Sequence, residues 1–148
     1  MGFGKYQPLV NLSPEIKKAI SNLENTSTDQ MSYLRAVYSF VLEKNSNQWG
    51  HTRFKAGTHL HRLFVKDINE IWNTKKFVYC TAINFLVFAL LVGSKFFKKE
   101  GIRTRYVFVN FVVHQYLQVK AGENWTDVDP AGSGIRGKPL GTHLSWFG

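Results

Sequence analysis

The chain has 148 residues, 44% hydrophobic and 20% charged, the size and balance of one domain able to bury a sizeable core. Twelve Phe and four Trp exclude a disordered chain, because disordered segments lack the bulky residues that bury surface. The formal charge of +9 favours anionic partners, yet the cations are scattered as pairs such as Lys17-Lys18, Lys75-Lys76 and Lys98-Lys99, and no nucleic-acid signature accompanies them.

A single cysteine cannot form an internal disulfide, so a reducing, cytoplasmic setting is the expectation. The opening MGFGKYQPLV has no apolar core of a signal peptide, and Tyr6 stands where a myristoylation signal needs Ser or Thr.

Ser13-Pro14-Glu15 supplies an N-cap, a first-turn proline and a first-turn acid, and Ile16, Ala19, Ile20 and Leu23 recur at helical spacing, which predicts a helix over 14–24. Thr28-Asp29-Gln30 opens a second helix with Met31, Leu34, Val37, Tyr38, Val41 and Leu42 on one stripe. Residues 45–57 read as a loop, and Leu60, Leu63, Phe64, Ile68 and Ile71 mark a third helix that Asn73-Thr74 breaks.

Residues 77–97, FVYCTAINFLVFALLVGSKFF, form the most apolar stretch. A membrane span needs about 20 consecutive apolar residues. Eighteen lie between Lys76 and Lys95, and they include Cys80, Thr81, Asn84, Gly93 and Ser94. Asn84 near the middle would be costly in hydrocarbon, so the expectation is a core helix buried on every face rather than a membrane helix.

Beyond Gly101 three extended runs follow, 102–110, 111–120 and 124–129. Helices first and strands last predict an α+β fold: N-terminal helices and a central buried helix bearing the cysteine, packed on a C-terminal antiparallel sheet. The tail from Ala131 carries five glycines and Pro139 and reads as a loop draped over the domain. The expected division is one domain over 1–148: a helical part over 1–76, a core over 77–130 and a glycine-rich tail over 131–148.

Cys80 falls in the first turn of its helix, where unpaired N–H groups, the positive end of the helix dipole and Lys75-Lys76 favour a thiolate. A free cysteine is equally at home as a small apolar filler. A nucleophilic cysteine needs a histidine base, and the base needs an orienting group on its second nitrogen. His51, His59, His61 and His143 lie in polar contexts, whereas His114 interrupts the strand FVVHQYLQV, as a satisfied half-buried residue or a functional one. If Lys120 faces Glu123 across a turn at Ala121-Gly122, Asp129 falls opposite His114. Asp127 shares that face, opposite Tyr116, and is the competing acid.

Cys80 at the start of an apolar helix, Gly101-Ile102-Arg103 before a strand, the run His114 to Val119, and Trp125-Thr126-Asp127-Val128-Asp129-Pro130 together resemble the transglutaminase-like superfamily of papain-fold thiol enzymes. The resemblance covers residues 77–130 and implies a papain-like core with Cys80 as nucleophile, His114 as base and Asp129 as orienting acid. Two positions depart from the family's pattern: Val78 where glycine is common, and Tyr116 where tryptophan is usual.

The expected activity is thiol-dependent acyl transfer on a peptide or protein amide through a thioester, as a cysteine peptidase or amidase, without a cofactor. The backbone N–H of Cys80 is one oxyanion donor, and Trp49, Gln48 and Asn73 are candidates for a second. Tyr116 and Trp125 are pocket candidates, with Trp125 covering the triad strand. Amine transfer, as in a transglutaminase, uses the same acyl-enzyme, and a binding module with a disabled site fits the two departures. A metal site is not expected at His51, His59 and His61, because Arg53, Lys55 and Arg62 oppose a divalent cation.

Overall fold

The computed structural model describes residues 11–46, 67–74, 79–109 and 112–145. Among these residues the fold is α+β, with five α-helices and one three-stranded antiparallel sheet.

Helix α1 spans Pro14–Asn25, and Ser13 caps it by accepting the Ile16 N–H at 3.4 Å. Helix α2, Gln30–Lys44, begins in a reciprocal capping box: the Asp29 carboxylate accepts the Ser32 N–H and the Ser32 hydroxyl accepts the Asp29 N–H. Its stripe is buried at Tyr33, Leu34, Val37, Tyr38 and Val41, while Met31 and Leu42 lie at the margin of the core. Tyr33 also sends its hydroxyl to the Leu90 carbonyl at 2.8 Å, tying α2 to the apolar helix.

Helix α3, Ile68–Asn73, buries Ile68 and Ile71 as the sequence spacing requires and stops at Asn73, with Thr74 as its cap. The earlier part of that expected helix and the expected loop over 47–57 lie outside the described residues. Helix α4, Cys80–Val92, is the apolar run, buried at every position from Ala82 to Leu91. Each such large apolar side chain contributes about 1.5–3 kcal/mol on burial. Thirteen residues make a helix of about 20 Å, short of the roughly 30 Å hydrocarbon core. No helix among the described residues is long and apolar enough to cross a membrane.

Asn84, fully buried in α4, donates from Nδ2 to the Gln115 carbonyl at 2.8 Å. The polar residue that would be expensive in lipid thus pins the helix to the sheet. After a 3₁₀ turn at Lys99–Gly101 come β1, Ile102–Val109, β2, Val112–Ala121, and β3, Asn124–Val128, in the order β1-β2-β3. Leu117, Val119 and Val128 are fully buried in the core.

Two expectations are corrected. The β2–β3 turn is Gly122-Glu123, not Ala121-Gly122, so Ala121 pairs with Asn124 and Gln118, not Tyr116, faces Asp127. The turn takes Gly122 through φ +64°, a left-handed conformation that glycine adopts without a steric cost, and this places glycine at the turn's first position. Nor does the tail begin as a loop. Pro130–Arg136 forms helix α5, because Asp129 caps it, Pro130 fits its first turn and Gly137 ends it at φ +66°. Good ends outweigh the low helix propensity of two internal glycines.

Candidate active site

Cys80 is the first residue of α4, and Tyr79 caps it in extended backbone with no side-chain hydrogen bond to the helix. The Tyr79 carbonyl accepts from Ala82 and Ile83 at 3.0 Å each. The amides of Cys80 and Thr81 belong to the first turn, which has no intrahelical acceptors, so the positive end of the helix dipole surrounds the sulfur. Cys80 is partly exposed, whereas the helix that follows is sealed.

His114 is buried in β2, its Nε2 2.8 Å from Asp129 Oδ2. Cys80 lies close enough to influence the ring, and with Nε2 bonded to Asp129, Nδ1 is the ring nitrogen left to face it. Burial alone would depress the imidazole, but the bonds to Asp129 and Cys80 and their charges outweigh it and raise its pKa to about 9.

Asp129 is fully buried and does two jobs. Oδ1 accepts the Gly132 N–H at 2.9 Å as the cap of α5, and Oδ2 accepts both His114 and the Leu144 N–H at 2.9 Å. The register change does not part the pair, since a shift of two residues keeps Asp129 on the His114 face. Extended by one residue, the β2–β3 pairing puts Asp129 beside Tyr116, diagonal to His114.

Asp127, the competing acid, is committed elsewhere. Its Oδ1 accepts Gln118 Nε2 at 2.7 Å and its Oδ2 meets His143 Nδ1 at 2.7 Å. His143 in turn lies flat on Tyr116, ring centroids 4.2 Å apart and 4° from parallel. Burial raises the Tyr116 phenol's pKa, and the charges of Asp127 and Asp129 add to that while Arg105 and Arg103 oppose it.

Cys80, His114 and Asp129 therefore meet, with Tyr116 next to them beneath His143. Trp125 pairs with Lys120 of β2, so it stands beside that strand but six residues and about 20 Å along it from His114. There it is exposed, with the Arg103 guanidinium 3.9 Å from its ring centroid. Asn73 ends α3 as an exposed residue. Gln48, Trp49 and Val78 lie outside the described residues, as do His51, His59 and His61. Among the described residues no cluster of three or more His, Cys, Asp or Glu side chains could hold a metal ion.

Sequence reasoning missed His143, the Leu144 amide and Gly132. Only the Asp-Pro step at 129–130, a cap followed by a first-turn proline, signalled that Asp129 opens a helix. Compared with models of protein families, with curated proteins and with solved structures, the chain matches none.

Proposed function

We propose that this protein is a thiol-dependent acyl-transfer enzyme, a cysteine peptidase or amidase with a transglutaminase-like, papain-like arrangement of Cys80, His114 and Asp129. The observation that carries the reading is the position of His114: its Nε2 is bonded to a fully buried carboxylate, and a partly exposed helix-start cysteine is its other neighbour. A structural cysteine needs none of this, and a buried Asp–His pair beside a thiol is the arrangement that generates and stabilises an imidazolium.

The sulfur proton passes to His114 Nδ1. The thiolate adds to an amide carbonyl, forming a C–S bond, and the oxyanion lies by the Cys80 N–H at the helix start. His114 then gives its proton to the leaving nitrogen as the C–N bond breaks, leaving a thioester and a free amine. Water attacks the thioester, His114 takes its proton, the C–S bond breaks to release the acid, and the proton returns to sulfur. Throughout, Asp129 holds the ring by Nε2 and offsets its positive charge.

The test is alkylation of Cys80 by iodoacetamide across pH, in the native protein and in the His114→Ala variant. Fast labelling at about pH 6.5, where an ordinary thiol is almost wholly protonated, that slows at least about tenfold in the variant supports the pair. Labelling that appears only on unfolding would make Cys80 a core residue and remove the enzyme reading.

A further inference from the structure

The sheet face that carries His114 and Tyr116 also carries Arg103 and Arg105. Strand register sets Arg105 opposite Tyr116 and Arg103 opposite Gln118, with Val107 opposite His114. Both arginines are exposed. They nevertheless do not splay apart as two like charges on one strand would in water. Each donates its Nε–H to the same atom, Gln118 Oε1, at 3.0 Å.

That oxygen is itself fixed. Gln118 Nε2 donates to Asp127 Oδ1 at 2.7 Å, and His143 engages the other Asp127 oxygen. A chain of bonds from His143 through Asp127 and Gln118 thus ties both guanidiniums to one fixed acceptor, and the Trp125 ring centroid lies 3.9 Å from the Arg103 guanidinium carbon. Among the described residues neither guanidinium has a carboxylate within salt-bridge distance. With each Nε occupied by one shared acceptor, the terminal NH2 groups carry the remaining donors, and a planar carboxylate accepts paired N–H···O bonds from such groups.

We propose that Arg103 and Arg105, clamped on Gln118, bind a carboxylate of the substrate, so that the site takes peptides with an acidic side chain. This rests on the Cys80 thiol reading. Along β1, Arg105 stands one two-residue step, about 7 Å, from the position facing His114, and Arg103 about 14 Å. An Asp or Glu one or two residues from the scissile carbonyl reaches that span. The chemistry selects for charge and planarity: Gln in place of Glu keeps the shape and loses the charge-assisted pair.

Two measurements test it. Titration with the α-amide of N-acetylglutamic acid, whose one carboxylate is that of the side chain, followed by the arginine Nε–Hε NMR signals, reads binding without Cys80 chemistry. N-bromoacetyl-Glu-amide and N-bromoacetyl-Gln-amide then compete to label Cys80. The expected results are saturable shifts of Arg103 and Arg105 with the Glu ligand and not its Gln counterpart, and Glu labelling faster by about tenfold. That preference falls with salt and disappears in Arg103→Gln/Arg105→Gln, where the two probes label at equal rates. No saturable shift overturns the anion site whether or not Cys80 is reactive. Saturable shifts with equal labelling rates overturn its link to the reaction. Slow labelling by both probes, with the shifts present, overturns the thiol reading and with it the assignment of the bound acid as substrate.

Discussion

The Leu144 amide and the Asp129 carboxylate are joined at 2.9 Å through Oδ2, the oxygen that also engages His114. The segment after α5 is therefore part of the site: it saturates the acid that orients the imidazole, and the Gly141 N–H bond to the Asp127 carbonyl at 2.9 Å fastens it to β3. Tyr38 adds an anchor from α2, its hydroxyl donating to the Lys138 carbonyl at 3.2 Å.

Asp129→Asn keeps the shape and removes the charge. The amide accepts on one oxygen only and presents its N–H groups either to Gly132 or to both His114 and Leu144, each of which needs an acceptor. Cys80 labelling near neutral pH, and any amidase activity, is expected to fall at least about 10²-fold. Stability is expected to drop by roughly 2–4 kcal/mol, read by urea unfolding, since a buried donor is left unpaired.

The raised His114 pKa makes stability depend on pH. The folded pKa, about 9, lies above the unfolded value near 6.5, so the folded state binds more protons between them. The contribution is complete below about pH 6.5 and is lost as pH rises through the folded value. The urea midpoint of the native protein is expected to decline more steeply from pH 6 to about pH 9.5 than that of His114→Ala, and the difference between the two profiles is the imidazole's share.

Gly132 lies against the orienting acid. A Cβ there would overlap Asp129 Oδ2 and stand 3.1 Å from Leu144 Cγ. Gly132→Ala is expected to cost about 1–3 kcal/mol and to lower the melting temperature by roughly 4–10 °C. It is also expected to slow Cys80 labelling, although residue 132 touches neither sulfur nor imidazole. An equal loss of stability with unchanged labelling would show that Asp129 does not hold His114.

Asn84 Oδ1 is buried with no partner among the described residues, while Nδ2 holds the Gln115 carbonyl. Asn84→Asp sets a carboxylate oxygen against that carbonyl in a sealed core. The variant is expected to lose at least about 3 kcal/mol at pH 7. Burial raises the new carboxyl's folded pKa, so its protonated form, which can donate, recovers part of the loss at about pH 4. Thermal melts at the two pH values check the sign.

Local features were legible where the physics is local. Ser13-Pro14 and Asp29 fixed two helix starts through backbone capping, the apolar stripes picked out Ile16, Leu34, Val37 and Ile71 as core, and the pairing of His114 with Asp129 survived an incorrect turn because side chains alternate with period two. What lay beyond reach depended on atoms distant in the chain. Gly122 decided the register by occupying the left-handed position of the turn, and α5 formed against its glycine content because its caps and the buried Ala131-Gly132 compensate. Tertiary packing made the apolar run a thirteen-residue helix with Asn84 bonded to the sheet. Only the folded chain brings His143 and Leu144 onto two carboxylates of β3 and its end, and sets two arginines on one glutamine. Periodicity and capping are written in neighbouring residues, whereas a polar network needs the register and the returning tail before any of its partners can meet.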